Sequence, residues 1–428
     1  MNGQRLANRA NGFNAEHIAG RLFDDVAGFS ADTAGVSRPA FSPVETKTLK
    51  YLQSFAAEQG LAVEIDGGQN AVFSLPEDAD AEKYMLVGSH VDSVPNGGNF
   101  DGLAGVIAGL LCLTYAKHTH SRFAKPVKVI ALRAEESAWF GPCYIASKAL
   151  LGRLEEDELR SAHKGDGRDL GAHMAGIGIN MNRVRRNLPL MDPTGIEAYI
   201  ELHIEQGPLL IEKNMPAAVV SGIRGNIRHK KVRCVGEPGH SGAVPRAYRK
   251  DPVLAMADLL SRLDESWLTI LQKGEDLVLT SGMVGTDPQK HALTRIPDLV
   301  DFSLDFRSQS AQALDDMRAL LLQEIRTVER ERGVTFHLDG EIYTAPALCD
   351  DALVDGLSTS MANVSLEPFS MPSGGGHDAA VFANAGIPSA MIFVRNRHGS
   401  HNPDEAMEIS DLIAGTNIIY NYLTEVAQ

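Results

Sequence analysis

Three histidines and several carboxylates in this chain stand at the ends of separate apolar runs, a pattern suited to holding metal ions. Residues 84–87 run into Gly88-Ser89-His90-Val91-Asp92, and Val129-Ile130-Ala131-Leu132 leads to Glu135-Glu136. In the run 200–205, Ile200, Leu202 and Ile204 face one side while Glu201, His203 and Glu205 face the other. Gly399-Ser400-His401-Asn402-Pro403 places a histidine on a tight turn past residues 390–394. In open α/β sheets, sites form beyond the carboxyl ends of strands, so groups from four such runs can meet in one crevice. Imidazole mixed with carboxylate suits zinc, manganese, cobalt or nickel, and disfavours cations such as calcium that want oxygen alone.

Each feature also has an ordinary reading. His90 alone could be a loop histidine bonded to backbone, but Asp92 can take its second ring N–H and fix the tautomer. Asp101, just before Gly102-Leu103-Ala104-Gly105, reads first as a helix N-cap, although its two oxygens could also bridge two cations. On a helix surface Glu135-Glu136 would be a solvated pair. At the buried end of a strand two adjacent carboxylates repel and need a cation. Neighbours on an extended chain point opposite ways, so one can bind metal while the other faces substrate. His398 competes with His401, and spacing does not choose between them.

Other chemistries lack support: there is no GxSxG elbow, no P-loop, and no GxGxxG between a strand and a helix. Gly374-Gly375-Gly376-His377-Asp378 is too short for a phosphate cradle, but could offer backbone N–H groups to a carboxylate.

The elements that must position these residues follow an α/β pattern. Residues 14–28 and 43–60 read as opening helices, each closed by a glycine. Residues 84–87, 127–132, 198–204 and 390–394 read as buried strands. The small residues after Asp101 would let a helix lie close to the sheet. From about Ser221 to Val334 the texture changes, with strands at 232–235 and 300–306 and amphipathic helices at 251–263 and 311–332. This predicts a catalytic domain in two parts, 1–218 and 336–428, interrupted by an inserted α+β domain at 219–335.

Bulk properties narrow the partners. The 428 residues carry a net charge of −15, with 44% hydrophobic and 22% charged residues. An excess of negative charge argues against nucleic acid or an anionic membrane surface. Cys112, Cys143, Cys234 and Cys349 form no CxxC pair, so reduced thiols in a cytoplasmic protein are expected. The first twenty residues lack a signal-peptide core, and no run approaches ~18 apolar residues, so no membrane span is expected.

Seven ordered segments, GSHVDSVPNGGNFDGLAGV, AEES, ELHIEQGP, GEPGHSGAVPRAYRKDP, SLDFR, SGGGHDA and GSHNPDEA, resemble the motifs of the hydantoinase/carbamoylase family of amidases. That family lies in the zinc aminoacylase and carboxypeptidase superfamily, and the resemblance covers residues 84–408. It implies an aminoacylase-like α/β metallohydrolase domain with an inserted ferredoxin-like α+β dimerisation domain. It further implies two divalent ions, zinc first, held by His90, Asp101, Glu136, His203 and His401, with Asp101 bridging and Glu135 as general base. Asp92 would stand behind His90. His240 would reach the site of the neighbouring subunit in a homodimer. Arg307 would bind the substrate carboxylate, with Asn226, Gly375, Gly376 and His377 as further contacts. The implied substrates are N-carbamoyl-L-amino acids, with allantoate, β-ureidopropionate, acyl-amino acids or dipeptides as alternatives. A metal-dependent binding protein without catalysis is the reading from another class.

The chain also departs from the family pattern. Ser137-Ala138-Trp139-Phe140 stands where relatives usually have Gly-Ser-Arg-Phe. Thr294 replaces an asparagine that helps grip the carboxylate, and Ser241-Gly242-Ala243-Val244-Pro245 replaces Ala-Gly-Thr-Thr-Pro. These changes fall on the substrate wall and leave the metal ligands in place.

Overall fold

The computed structural model describes Leu6 and residues 12–427. The chain divides into two compact units, Met1–Gly222 with Leu348–Gln428, and Ile223–Ala347. The junctions fall later than the change in sequence texture. The second is displaced because Ile342–Thr344 adds as a strand to Gly225–Val235 inside the inserted unit.

The larger unit is built on a nine-stranded sheet. Its order is Ala62–Ile65, Ala71–Ser74, Val127–Leu132, Tyr84–His90, Ile196–Ile204, Ser389–Val394, Ala217–Ile223 and Ala347–Leu348, with Ser370–Ser373 also paired to Ala217–Ile223. The four strands from Val127–Leu132 to Ser389–Val394 run parallel, whereas their flanking partners are antiparallel. Parallel strands covered on both faces read as unbroken apolar runs, and Tyr84–His90 and Ser389–Val394 are buried throughout.

The helix Leu103–Thr119 packs directly on this sheet and is buried from Leu103 to Ala116. A Cβ on Gly105 would collide with the Leu202 carbonyl oxygen, so only glycine permits this approach. Asp101 is not the side-chain cap of this helix. The cap position is Gly102 at φ +66, where a Cβ would meet the His90 ring, and the Asp101 carboxylate is left for other partners. A second correction concerns the first helix: it starts at Ala15 behind the Asn14 cap but continues through Gly28 to Ser30, burying Val26 and Ser30. Pro43–Glu58 forms as expected, and Gly60 follows at φ +71.

The inserted unit is an α+β sandwich. An antiparallel sheet centred on Gly225–Val235 and Leu299–Ser308 packs against the helices Pro252–Gln272 and Ala311–Arg332. Leu299–Ser308 alternates strictly, with Val300, Phe302, Leu304 and Phe306 in the core.

Candidate metal centre

The carboxyl ends of the four parallel strands deliver the groups that the sequence singled out. His90 is the last residue of Tyr84–His90, and His203 lies next to last in Ile196–Ile204. Glu135 and Glu136 follow Val127–Leu132, and His401 lies on the turn after Ser389–Val394, at φ +61.

His90, Asp101 and His203 form one group able to hold a metal, and Asp101, Glu136 and His401 form a second. In the first, His90 Nε2 and His203 Nε2 lie 3.5 and 3.1 Å from Asp101 Oδ1, and 3.4 Å from each other. Ligands about 2.0–2.1 Å from a tetrahedral zinc are separated by roughly 3.3 Å, which these three edges match. In the second group, His401 Nε2 lies 3.2 Å from Glu136 Oε1 and 3.6 Å from Asp101 Oδ2. Asp101 therefore offers one oxygen to each group. All of these side chains are buried except His401, whose side chain is 52% exposed and stands at the mouth. His401 reaches the carboxylates of Glu136 and Asp101, and His398 is in neither group.

Asp92 does more than steady an imidazole. Its Oδ1 lies 3.3 Å from His90 Nδ1, which also meets the Asp92 carbonyl at 3.2 Å. The same carboxylate accepts the backbone N–H of Glu135 at 2.9 Å and of Glu136 at 3.0 Å. One side chain thus fixes a ligand and both glutamates. Residue 134 adopts φ +50 here, and its N–H donates to Glu45 Oε1 at 3.0 Å. Glu45 is itself paired with Arg133 at 2.5 Å, so a buried ion pair shapes the exit of that strand.

The charges are in tension. Burial, with Glu136, Asp378 and Asp92 close by, pushes Glu135 well above the ordinary glutamate range despite His90. Burial and Asp101 also raise Glu136, against its bond to His401. Against the burial that would lower it, Asp101 and Asp92 hold His90 well above its usual value, and the bond to Glu136 raises His401 to about 9. Raised glutamates and raised histidines in one buried site, beside an Asp101 that, against burial, His203 and His90 hold low, mark a place that a cation would relieve. The donor types and their spacing fit divalent metal.

Several supporting residues gave no periodic signal because they lie on loops. Gln206 Nε2 donates to Asp101 Oδ2 at 2.8 Å. Glu405 Oε1 accepts the N–H groups of Phe100 and Asp101 at 2.8 and 3.2 Å. Arg38 is fully buried, donating from Nε to the Val91 carbonyl and from Nη1 to Asn99 Oδ1. The short motif around Glu405 was visible in sequence, but nothing in it assigned the glutamate to Asp101.

His377 is also buried, its ring edge-on to that of His203 with centroids 4.5 Å apart. Ser373 Oγ donates to the Gly375 carbonyl and lies 2.9 Å from His377 Nε2. With the hydroxyl proton spent, Nε2 is the donor in that contact. Burial and His203 push the His377 pKa well below the usual value, which favours the neutral ring. Gly376 lies directly beneath the Tyr144 hydroxyl, which occupies the place a Cβ would take.

The remaining candidates belong to the inserted unit. Asn226 and Arg307 are directly opposite each other on adjacent strands. Asn226 is buried and, among the described residues, its Oδ1 has no hydrogen-bond partner. Arg307 donates to Asp305 Oδ2 from both Nε, at 3.1 Å, and Nη2, at 2.8 Å. His240 is exposed in the short strand Gly239–His240 and accepts the Gly242 N–H at Nδ1. Thr294 holds the Ser241 N–H through its carbonyl at 2.8 Å. Among the described residues, no helix is long and apolar enough to cross a membrane.

Comparison with known proteins agrees with this arrangement. Residues 86–425 match the model of peptidase family M20/M25/M40. The chain is 32% identical to an N-carbamoyl-L-amino acid amidohydrolase of Geobacillus stearothermophilus over 92% of its own length and 94% of the relative. It is 31% identical to an allantoate amidohydrolase of Escherichia coli K12, over 94% and 96% of the two chains. A crystal structure of a hydantoinase/carbamoylase family amidase from Burkholderia multivorans superposes with a TM-score of 0.85 at 26% identity, covering 96% and 97%. The ordered motifs, the shared length and the common fold agree: the chain belongs to peptidase family M20/M25/M40, among its hydantoinase/carbamoylase amidases.

Proposed function

We propose that the protein is a binuclear metal-dependent amidohydrolase that cleaves a linear amide or ureide C–N bond beside a carboxylate, with N-carbamoyl-L-amino acids as lead substrates. The observation that carries this reading is the pair of ligand groups sharing Asp101, with Glu135 held beside them by Asp92 yet belonging to neither. Two divalent cations, zinc foremost, would sit in those groups, polarising the scissile carbonyl and acidifying the attacking water. Glu135 takes the proton from that water at its carboxylate. It then passes the proton to the leaving nitrogen as the C–N bond breaks. Burial raises Glu135 above the ordinary glutamate range, the direction that favours holding a proton between the two transfers. Burial and His203 favour the neutral ring at His377, which can serve as a hydrogen-bonding group.

Allantoate is the second substrate reading, supported by the similarity to allantoate amidohydrolases. The deciding experiment measures ammonia and amine release from carbamoyl-amino acids, allantoate, β-ureidopropionate and acyl-amino acids. Dialysis against a chelator is expected to abolish turnover, and zinc, manganese, cobalt or nickel to restore it. Full activity in rigorously metal-free protein would end this reading.

In this reading Arg307 and Asn226 would receive the substrate carboxylate, with Asp305 as the arginine's partner until substrate arrives. The alternative is a purely structural ion pair worth ~0.2–1 kcal/mol. Arg307→Lys forfeits the bidentate fork, so kcat/KM is expected to fall on carboxylate substrates and much less on their amides. Equal losses on both would favour the structural pair.

His240 acts, in this reading, on the active site of the second subunit of a homodimer, stabilising the charge that develops on the carbonyl oxygen. Glu135→Ala and His240→Ala homodimers should each be nearly inactive. Exchanging their subunits produces mixed dimers with one site carrying both lesions and one carrying neither. About a quarter of wild-type activity should return after random exchange, because about half the dimers are mixed and half of their sites are intact. No return after verified exchange would place His240 within its own subunit.

A further inference from the structure

A second cluster of metal-ligating side chains lies in the stretch between AEES and ELHIEQGP, which none of the seven motifs covers. His163 and Asp166 sit on the turn before the helix Leu170–Gly176, and His173 lies on that helix. His163 Nδ1 and His173 Nε2 approach the same oxygen, Asp166 Oδ1, at 3.4 and 3.2 Å. One ligand atom from each residue falls within 4.8 Å of the others. The two carboxylate–imidazole edges match the 3.1–3.6 Å range of those in the catalytic groups.

Further contacts prepare these groups. Arg168 holds Asp166 Oδ2 through Nε at 2.9 Å, and its backbone N–H donates to Oδ1 at 3.0 Å. Partners of this kind orient a ligating carboxylate without occupying every lone pair. The amides of Gly165 and Asp166 point at His163 Nδ1 from 3.2 Å, so its lone pair faces the turn and the cluster. An ion binding at Nδ1 would have to displace these two contacts. Phe140 packs against both imidazoles, whose centroids are 4.9 Å apart, and the Trp139 ring stacks on His163 at an interplanar angle of 12°. The imidazoles are only 13% and 10% exposed, while Asp166 at 41% leaves a path from solvent.

We propose that His163, Asp166 and His173 form an additional cation site, separate from the catalytic pair, for a first-row transition dication with zinc foremost. Two nitrogens and one oxygen suit such ions and disfavour calcium or magnesium. Its role is structural. The ion pins the excursion that follows Glu136 and carries Trp139, whose indole N–H donates to the Ser93 carbonyl at 2.8 Å, one residue beyond Asp92.

The test counts metal. Wild-type protein, His173→Asn and His163→Gln are stripped with chelator, reloaded with zinc, desalted and assayed for zinc per chain. Wild type is expected to retain one equivalent more than either variant, and to lose thermal stability when that equivalent is absent. Asp166→Asn, the mildest change, serves if a histidine variant fails to fold. Equal zinc content in wild type and folded variants overturns the proposal and leaves a hydrogen-bonded turn. Repeating the count in a Glu136→Gln background separates this from the catalytic reading. The catalytic content should fall there while the one-equivalent difference persists.

Discussion

Glu135→Gln is expected to lower kcat by about 10²-fold or more while leaving the metal content at its wild-type level, the loss typical of a general base. Glutamine is isosteric, and the Asp92 contact is made to the backbone N–H of residue 135, so the site should keep its shape. Glu135 lies outside both ligand groups, whereas Glu136 sits 3.2 Å from His401 Nε2. Glu136→Gln should therefore lose metal first and activity as a consequence, with excess metal restoring part of it. Metal analysis beside steady-state kinetics distinguishes the two. If the phenotypes came out exchanged, the roles of base and ligand would have to be exchanged as well.

The second large effect is expected at Asp92, which belongs to neither ligand group. Its two oxygens satisfy the N–H groups of Glu135 and Glu136 and face His90 Nδ1. Asp92→Asn keeps one acceptor and turns an NH₂ group toward a buried N–H, leaving that donor unmatched. Removing the partner behind a metal-bound histidine typically costs 10–100-fold in affinity or activity. Because the base is displaced together with the ligand, kcat should fall at saturating metal and metal affinity should weaken too. A variant that lost stability alone, with kcat and metal affinity preserved, would refute this double role.

Much of this site could be read from sequence because its residues close strands that had to be apolar. A parallel sheet buried on both faces writes itself as unbroken hydrophobic runs, and a polar group at the end of such a run stands out. The strand Gly225–Val235 was read only from residue 232, because its earlier part, Asn-Ile-Arg-His-Lys-Lys, is polar on the exposed face. Gly28 looked like a helix stop, but burial of Val26 and Ser30 carries the helix past it. Asp101 has the composition of a cap, yet Gly102 takes that place and frees the carboxylate. Arg38, Gln206 and Glu405 could not be found by pattern, since loops have no period and their partners lie far away in the chain. The cluster at His163 was missed for the same reason: a turn and a seven-residue helix leave no apolar run to point at it.

The strand Ala217–Ile223 leads into the inserted unit and Ala347–Leu348 leads out, and the two are neighbours in the large sheet. Departure and return therefore lie side by side, as at the two feet of a hairpin. An entire unit could enter or leave the gene at this point with little loop-closure penalty and without breaking the ladder of the catalytic sheet. Selection could then remodel the insertion while the proposed metal-ligating residues of the larger unit stayed fixed. Such a chain can change its diet without relearning its chemistry.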